Sequence, residues 1–142
     1  MDFTVAAQIG LIAAGLIFLW ALLLGIWKYA GMVRSPDGQA HVYVDVAHRS
    51  ALMYSFAAAL LAVFAQFNRF PSWLTAPAIS VVLAFFVSAI ASYCWHGWRR
   101  DTDNQMHPAT ASMTASMVAL IVGEVGGTAI LFAGFVAELA RS

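Results

Sequence analysis

The side chains best equipped for chemistry in this chain are its four histidines, which, with four of the seven acids, fall in or beside two loops and form two short clusters. The first cluster reads His41-Val42-Tyr43-Val44-Asp45-Val46-Ala47-His48-Arg49. If the segment is helical, His41, Asp45 and His48 stand at i, i+4 and i+7 and share one face. A carboxylate between two imidazoles would then orient a ligating histidine: an acceptor on one ring nitrogen fixes the tautomer and strengthens the other as a donor to a metal. The same residues also alternate, with Val42, Val44 and Val46 opposite His41, Tyr43 and Asp45, which suits a short extended stretch in which His48 points elsewhere. His41 also reads as a plain solvated loop histidine. His48 stands where a long apolar run begins, just after Ala47 and before Arg49 and Ser50.

The second cluster is His96-Gly97-Trp98-Arg99-Arg100-Asp101-Thr102-Asp103-Asn104-Gln105-Met106-His107. Tyr93 and Arg100 lie one helical turn to either side of His96, so these three share a face at the end of an apolar run. An interfacial tyrosine and histidine also serve simply as anchors. Asp101, Asp103, Asn104 and Gln105 are dense in polarity for a connector; they read either as a cap and turn, since Asp and Asn bond their own backbone readily, or as part of a site. Glu124 differs from all of these, because it interrupts an otherwise uncharged stretch near its middle. A carboxylate in hydrocarbon costs several kcal/mol unless it is paired, protonated or facing a polar cavity. It is therefore either functional or a protonated acid bonded to a neighbouring helix, with Ser92 or Tyr54 as partners. Cys94, the single cysteine, reads as a small buried hydrophobe and excludes an internal disulfide, a cysteine metal cage and a CxxCH haem attachment.

The elements that must position these groups follow from composition. Of 142 residues, 62% are hydrophobic and 10% charged, against about 45–50% and about 25% in an average soluble domain. Seven basic residues balance seven acidic ones, so no positive field favours nucleic acid. A helix needs roughly 20 apolar residues to span a bilayer. Four such runs are expected, at about 5–27, 47–67, 76–98 and 113–138, with Pro71 and Pro77 bracketing a tight connection between the second and third. The expected fold is all-α, one transmembrane four-helix bundle. The first run is too long, and lacks the basic flank, for a cleavable signal. Lys28, Arg34, Arg49, Arg99 and Arg100 lie on the side of the first and third loops and only Arg69 and Arg141 on the other. The positive-inside rule then puts those two loops in the cytoplasm of a bacterial-type inner membrane. Gly123 and Gly127, with Gly126 beside them, suit close helix packing in lipid. Histidine arrays of the desaturase type, a phosphate-binding glycine loop and a GxSxG elbow are absent from the sequence. What remains is a site at one membrane edge, with histidine ligands and an apolar wall, suited to a metal or haem acting on a small hydrophobic molecule.

The order of these features resembles the small four-helix membrane isomerases typified by styrene oxide isomerase, with hydroxylaminobenzene mutase as a relative. Ser35-Pro36 in the first loop, Ala47-His48 at the start of the second span, Tyr93 late in the third and Asn104-Gln105-Met106 in the third loop are similar in placement to that family's short motifs. Tyr54 stands where the family has an asparagine six residues beyond the histidine, and the stretch from Pro36 to His48 is longer. The resemblance implies haem b with His48 as axial metal ligand, and the helical-face reading adds His41 and Asp45 beside it as candidate cofactor-binding residues. It also implies that Tyr93 positions the substrate or its oxygen, and a homo-oligomer, a trimer in the family; Tyr54, at the position of the family's asparagine, and Asn104 are the further candidate catalytic residues. The implied activity is rearrangement of a small apolar, often aromatic, epoxide or similar compound to a carbonyl product, with ferric iron as Lewis acid. Two other classes fit the same sequence. One is a non-catalytic small subunit or assembly factor of a larger membrane complex, docking through Gly123 and Gly127. The other is a proton-coupled transporter using Glu124.

Overall fold

The computed structural model describes residues 2–141. Four helices follow one another, α1 (Val5–Arg34), α2 (Val42–Gln66), α3 (Ser72–Arg99) and α4 (Ala111–Leu139), and all four are long and apolar enough to cross a membrane. The all-α four-helix architecture expected from the sequence is what the chain adopts. At 1.5 Å per residue a 30-residue helix is about 45 Å long, well over the roughly 30 Å hydrocarbon thickness. The helices therefore outrun the spans expected from hydropathy, and most clearly at the face bearing the histidines. There α1 continues past Trp27 to Arg34 and α2 begins at Val42 rather than near Ala47. The polar residues of these extra turns are helical because their backbone is satisfied within the helix while their side chains reach water.

The second departure is at the prolines. Only Pro71 precedes α3, as its N-cap, whereas Pro77 lies inside the helix. It falls in the second turn, close enough to the N-terminus that the one hydrogen bond it removes does not break the helix.

Small residues govern how closely the helices pack. Ala6, Ala7 and Ala21 of α1 and Ala47, Ala51, Ala58, Ala62 and Ala65 of α2 are all buried, and these two helices make the most extensive pair. A Cβ on Gly10 would lie 2.7 Å from the Ala62 methyl, so the backbones approach closely there, as lipid-embedded helices do when dispersion rather than water exclusion drives their association. α3 contributes five of the larger core side chains, Ile79, Val82, Leu83, Phe86 and Ile90, and touches each of the other three helices.

Among the described residues α4 touches α3 and α2 but not α1, and it is held mainly along its C-terminal half. Leu131 is fully buried. Asn68, in the α2–α3 connection, donates from Nδ2 to the Leu131 carbonyl (2.8 Å) and the Phe64 carbonyl (3.0 Å), and its Oδ1 accepts from the Phe70 amide (2.9 Å). The Arg69 amide donates to the Gly134 carbonyl. This polar clasp needs Gly134, because a Cβ there would overlap the Asn68 carboxamide. Gly127 and Gly123 likewise pack on α3, against Val82 and the Ala78 carbonyl and against Phe85 and Val81, whereas Gly126 faces open space. By contrast the first turns of α4 are largely exposed, so a cleft opens between them and α3. Gly134→Ala is expected to cost about 1–3 kcal/mol through overpacking, and Gly126→Ala within about 0.5 kcal/mol. Thermal unfolding in detergent micelles, followed by circular dichroism, checks both.

Candidate functional site

His48 lies in the second turn of α2, partly buried against α1. Its Nδ1 stands 2.9 Å from the carbonyl oxygen of Ala21, which can only accept, so Nδ1 carries the proton and Nε2 keeps its lone pair. Nε2 has no hydrogen-bond partner among the described residues. Gly25 makes room for the ring, since a Cβ at that position would come within 3.0 Å of the imidazole Cε1. One lone pair is thus presented by a ring whose tautomer and plane are set from behind.

Asp45 does not provide that orientation. Its two oxygens go to Lys28 Nζ (2.6 Å) and Arg49 Nη2 (2.8 Å). Full cations outcompete neutral imidazoles for a carboxylate, and Lys28 on α1 was too distant in sequence to enter the helical-face argument. His41 departs from that face as well: it is the N-cap of α2, with Nδ1 accepting from the Tyr43 amide at 3.2 Å and Nε2 3.5 Å from Asp103. The segment is helical, as one reading required, yet the three side chains do not converge. No group of three or more His, Cys, Asp or Glu among the described residues is arranged to hold a metal ion, so a protein-only metal cage is not built here. What His48 offers by itself is one lone pair on an oriented imidazole.

A second assembly centres on Tyr43, which sequence reasoning passed over because it reads simply as one member of an alternating pattern. Its side chain is buried, its ring stacks on Tyr93 (centroids 6.0 Å apart, 15° between planes) and it also contacts His41 and His96. Its hydroxyl accepts from the Gln105 amide at 2.6 Å, while Ser92 donates to Gln105 Oε1 at 3.0 Å. The third loop is thereby tied to α2 and α3. His96 Nδ1 meets Asp101 Oδ1 at 2.8 Å, and the hydrogen bond from His96 holds the Asp101 carboxyl below the usual carboxylate range, assisted by the nearby charges of His96 and Arg99.

Above this tie lies the cleft between α3 and α4. A cavity of about 420 Å³ is lined by Phe85, Ala89, Ser92, Tyr93, Gln105 and Leu120 among others. It shares Ser92, Gln105, Ser116 and Met117 with a neighbouring cavity of about 300 Å³ that reaches His96. Tyr93 and Gln105 therefore face a space of ligand size. Asn104 does not line it: its Oδ1 accepts from the Met106 amide and its own amide donates to Thr102, so in the third loop Asn104 builds the turn and Gln105 faces the cleft. Tyr54 lies deeper, its ring flat against Phe86 at 4.2 Å and 5°. Cys94 is a free, half-buried thiol packed against the Ile17, Ala21 and Ile90 cluster.

Glu124 lies midway along α4. Its Oε1 is enclosed and has no hydrogen-bond partner. The expectation of a bond to Ser92 or Tyr54 is not met, because Ser92 is committed to Gln105 and the phenol of Tyr54 makes no bond to it. A further cavity, about 500 Å³, is lined by Arg34, Asp37, His41, Arg100 and Asp103 among others. It opens between the first loop and the end of α3, away from His48 and the cleft.

No protein-family model, no curated protein and no solved structure matches the chain.

Tyr43→Phe removes the acceptor for the Gln105 amide, a loss of about 1–3 kcal/mol for a buried donor; amide exchange at Gln105 should quicken roughly tenfold or more, since 1.4 kcal/mol is a factor of ten. Asp101→Asn should loosen residues 101–107 in the same measurement at neutral pH. Because the Asp101 carboxyl is lowered in the folded state, its contribution is complete above the unfolded value of about 3.9 and disappears as pH falls through the folded one. The difference between Asp101→Asn and the wild type should accordingly vanish in strong acid.

Proposed function

We propose that the chain is a membrane-embedded isomerase that rearranges a small apolar, often aromatic, epoxide or similar compound to a carbonyl product with haem b bound at His48. The observation that carries this reading is the His48 imidazole, with Nδ1 donating to the Ala21 carbonyl and the Nε2 lone pair left free of a hydrogen bond among the described residues. That is the arrangement in which an outer-shell acceptor orients a metal-bound histidine. When bound, ferric haem supplies Lewis acidity toward the substrate's oxygen, with no net redox change. His48 would hold the group through its Nε2 lone pair, with Gly25 and the Ala21 carbonyl fixing the plane of the imidazole. Tyr93, steadied by its stack on Tyr43, and Tyr54, steadied on Phe86, present phenols to the substrate. The apolar walls of the α3–α4 cleft admit a molecule dissolved in lipid and keep bulk water from a reactive carbonyl product.

His48 belongs to the α1–α2 seam and the cleft to α3 and α4, so one chain presents the two on different helix pairs. A homo-oligomer, a trimer as in the isomerases the sequence resembles, would bring such faces of neighbouring chains together. The excess of basic residues favours a cytoplasmic position for the first and third loops. Neither Tyr54 in place of the family's asparagine nor Asn104, exposed in its turn, is assigned the reaction's central step.

Protein purified from haem-replete cells should show a Soret band, and His48→Ala should abolish it. Gly25→Leu, which crowds the imidazole without removing it, should shift or weaken the band in a protein that still folds. An aryl epoxide such as styrene oxide should be consumed without added oxidant or reductant. A colourless, haem-free wild-type preparation would overturn the assignment.

A further inference from the structure

The methionines of this chain are unevenly placed. Three of its six, Met106, Met113 and Met117, line one cavity of about 300 Å³ together with His96. That cavity lies where the third loop meets the end of α3 and the start of α4. Met113 and Met117 stand at i and i+4 on α4 and share a face, and along residues 111–119 they are the two that are not exposed. Met106 comes from the loop, with its backbone held by the amide's hydrogen bond to Asn104 Oδ1 at 3.0 Å.

His96 is prepared from behind. Its Nδ1 is 2.8 Å from Asp101 Oδ1, and a carboxylate only accepts, so Nδ1 carries the proton and Nε2 keeps its lone pair. Nε2 has no partner among the described residues. The second oxygen of Asp101 is taken by Arg99 Nε at 3.3 Å, and the Tyr43 ring packs on the imidazole with centroids 5.5 Å apart. An outer carboxylate that fixes the tautomer of a histidine is the support a metal-bound imidazole receives.

The donor set decides which ion fits. Thioethers are soft ligands that select Cu(I), and imidazole is compatible with it. No carboxylate lines the cavity. The oxygens that do are hydroxyls and the Gln105 carboxamide, all neutral, so nothing there offsets the second charge of a hard divalent ion. As mere filler a methionine exchanges with leucine at little cost, whereas as a ligand it does not.

We propose that His96, Met106, Met113 and Met117 form a binding site for a soft monovalent cation, Cu(I), at the membrane edge. Methionine sulfur lies outside the His, Cys, Asp and Glu donors considered above. An ion held there joins the third loop and the loosely packed start of α4 to α3. The site is separate from His48, which belongs to the α1–α2 seam, and does not rest on the proposed isomerase activity.

The test is titration of Cu(I) into the full-length protein in lipid nanodiscs under argon, in competition with bicinchoninate, followed by copper K-edge absorption to identify the neighbours of the bound ion. A single Cu(I) per chain should be retained with both sulfur and nitrogen around it, and Zn(II) should not displace it. Because losing even an outer-shell partner costs about 10–100-fold in metal affinity, Met113→Leu combined with Met117→Leu should weaken binding at least that much. Circular dichroism should show the helices of that variant intact. Cys94→Ala and His48→Ala should leave both affinity and spectrum unchanged, which separates this site from the free thiol and from the haem assignment. If the methionine variant does not fold, the sulfur and nitrogen neighbours in Cys94→Ala decide. The proposal is overturned if no copper is retained, if the bound ion has no sulfur neighbour, if the methionine pair can be replaced without loss, or if binding disappears with Cys94.

Discussion

In hydrocarbon a backbone must satisfy itself, and a polar side chain that finds no partner on a neighbouring helix has no water to fall back on. This scarcity of partners is the constraint on which the rest of the molecule depends. It makes each spanning segment a helix, and it restricts polar contacts between helices to a few whose geometry is fully specified. The Asn68 clasp is one: a single carboxamide uses its amide group on two carbonyls and its oxygen on the Phe70 amide. The His48 bond to Ala21 is another. The polar ends of the helices, where water is available, show looser and more redundant contacts, such as Asp45 shared between Lys28 and Arg49.

The same constraint shapes the asymmetry of α4. Its C-terminal half is anchored by Leu131, Gly134 and the clasp, while its N-terminal half has few buried residues. A cleft beside a weakly held half-helix is a natural route for a lipid-dissolved molecule, since widening it disturbs little of the core. Tyr93 links the two regions, because it lines the cleft and stacks on Tyr43, whose hydroxyl fastens the third loop.

His48 illustrates how a neighbouring helix fixes the tautomer and plane of a histidine. Burial alone would leave its two nitrogens to compete for whatever donor or acceptor came near. The Ala21 carbonyl settles the tautomer, and the absence of a side chain at Gly25 allows the ring to lie close against α1. Neither feature belongs to α2. A carbonyl at i of one helix and a glycine one turn later form a cradle only when the neighbouring helix brings an imidazole to the same level.

The sequence by itself determined the number of helices, their apolar character and the side of the bundle on which the histidines gather, because hydropathy over about 20 residues and the positions of charges are properties of the chain alone. Helix ends were less legible: polar turns at the membrane edge satisfy their backbone as well as apolar ones do, so α1 and α2 extend beyond their hydrophobic runs. Pair partners were not legible at all. Asp45 was expected to serve its own helix's histidines, but Lys28, 17 positions earlier in the chain, takes it. Tyr43 gave no signal as a buried hub, since its role depends on Tyr93, His96 and Gln105, which are contributed by distant segments. Only the tertiary structure could decide these, because a hydrogen bond in a bundle depends on the rotation and axial offset of two helices, and no spacing within one helix encodes either.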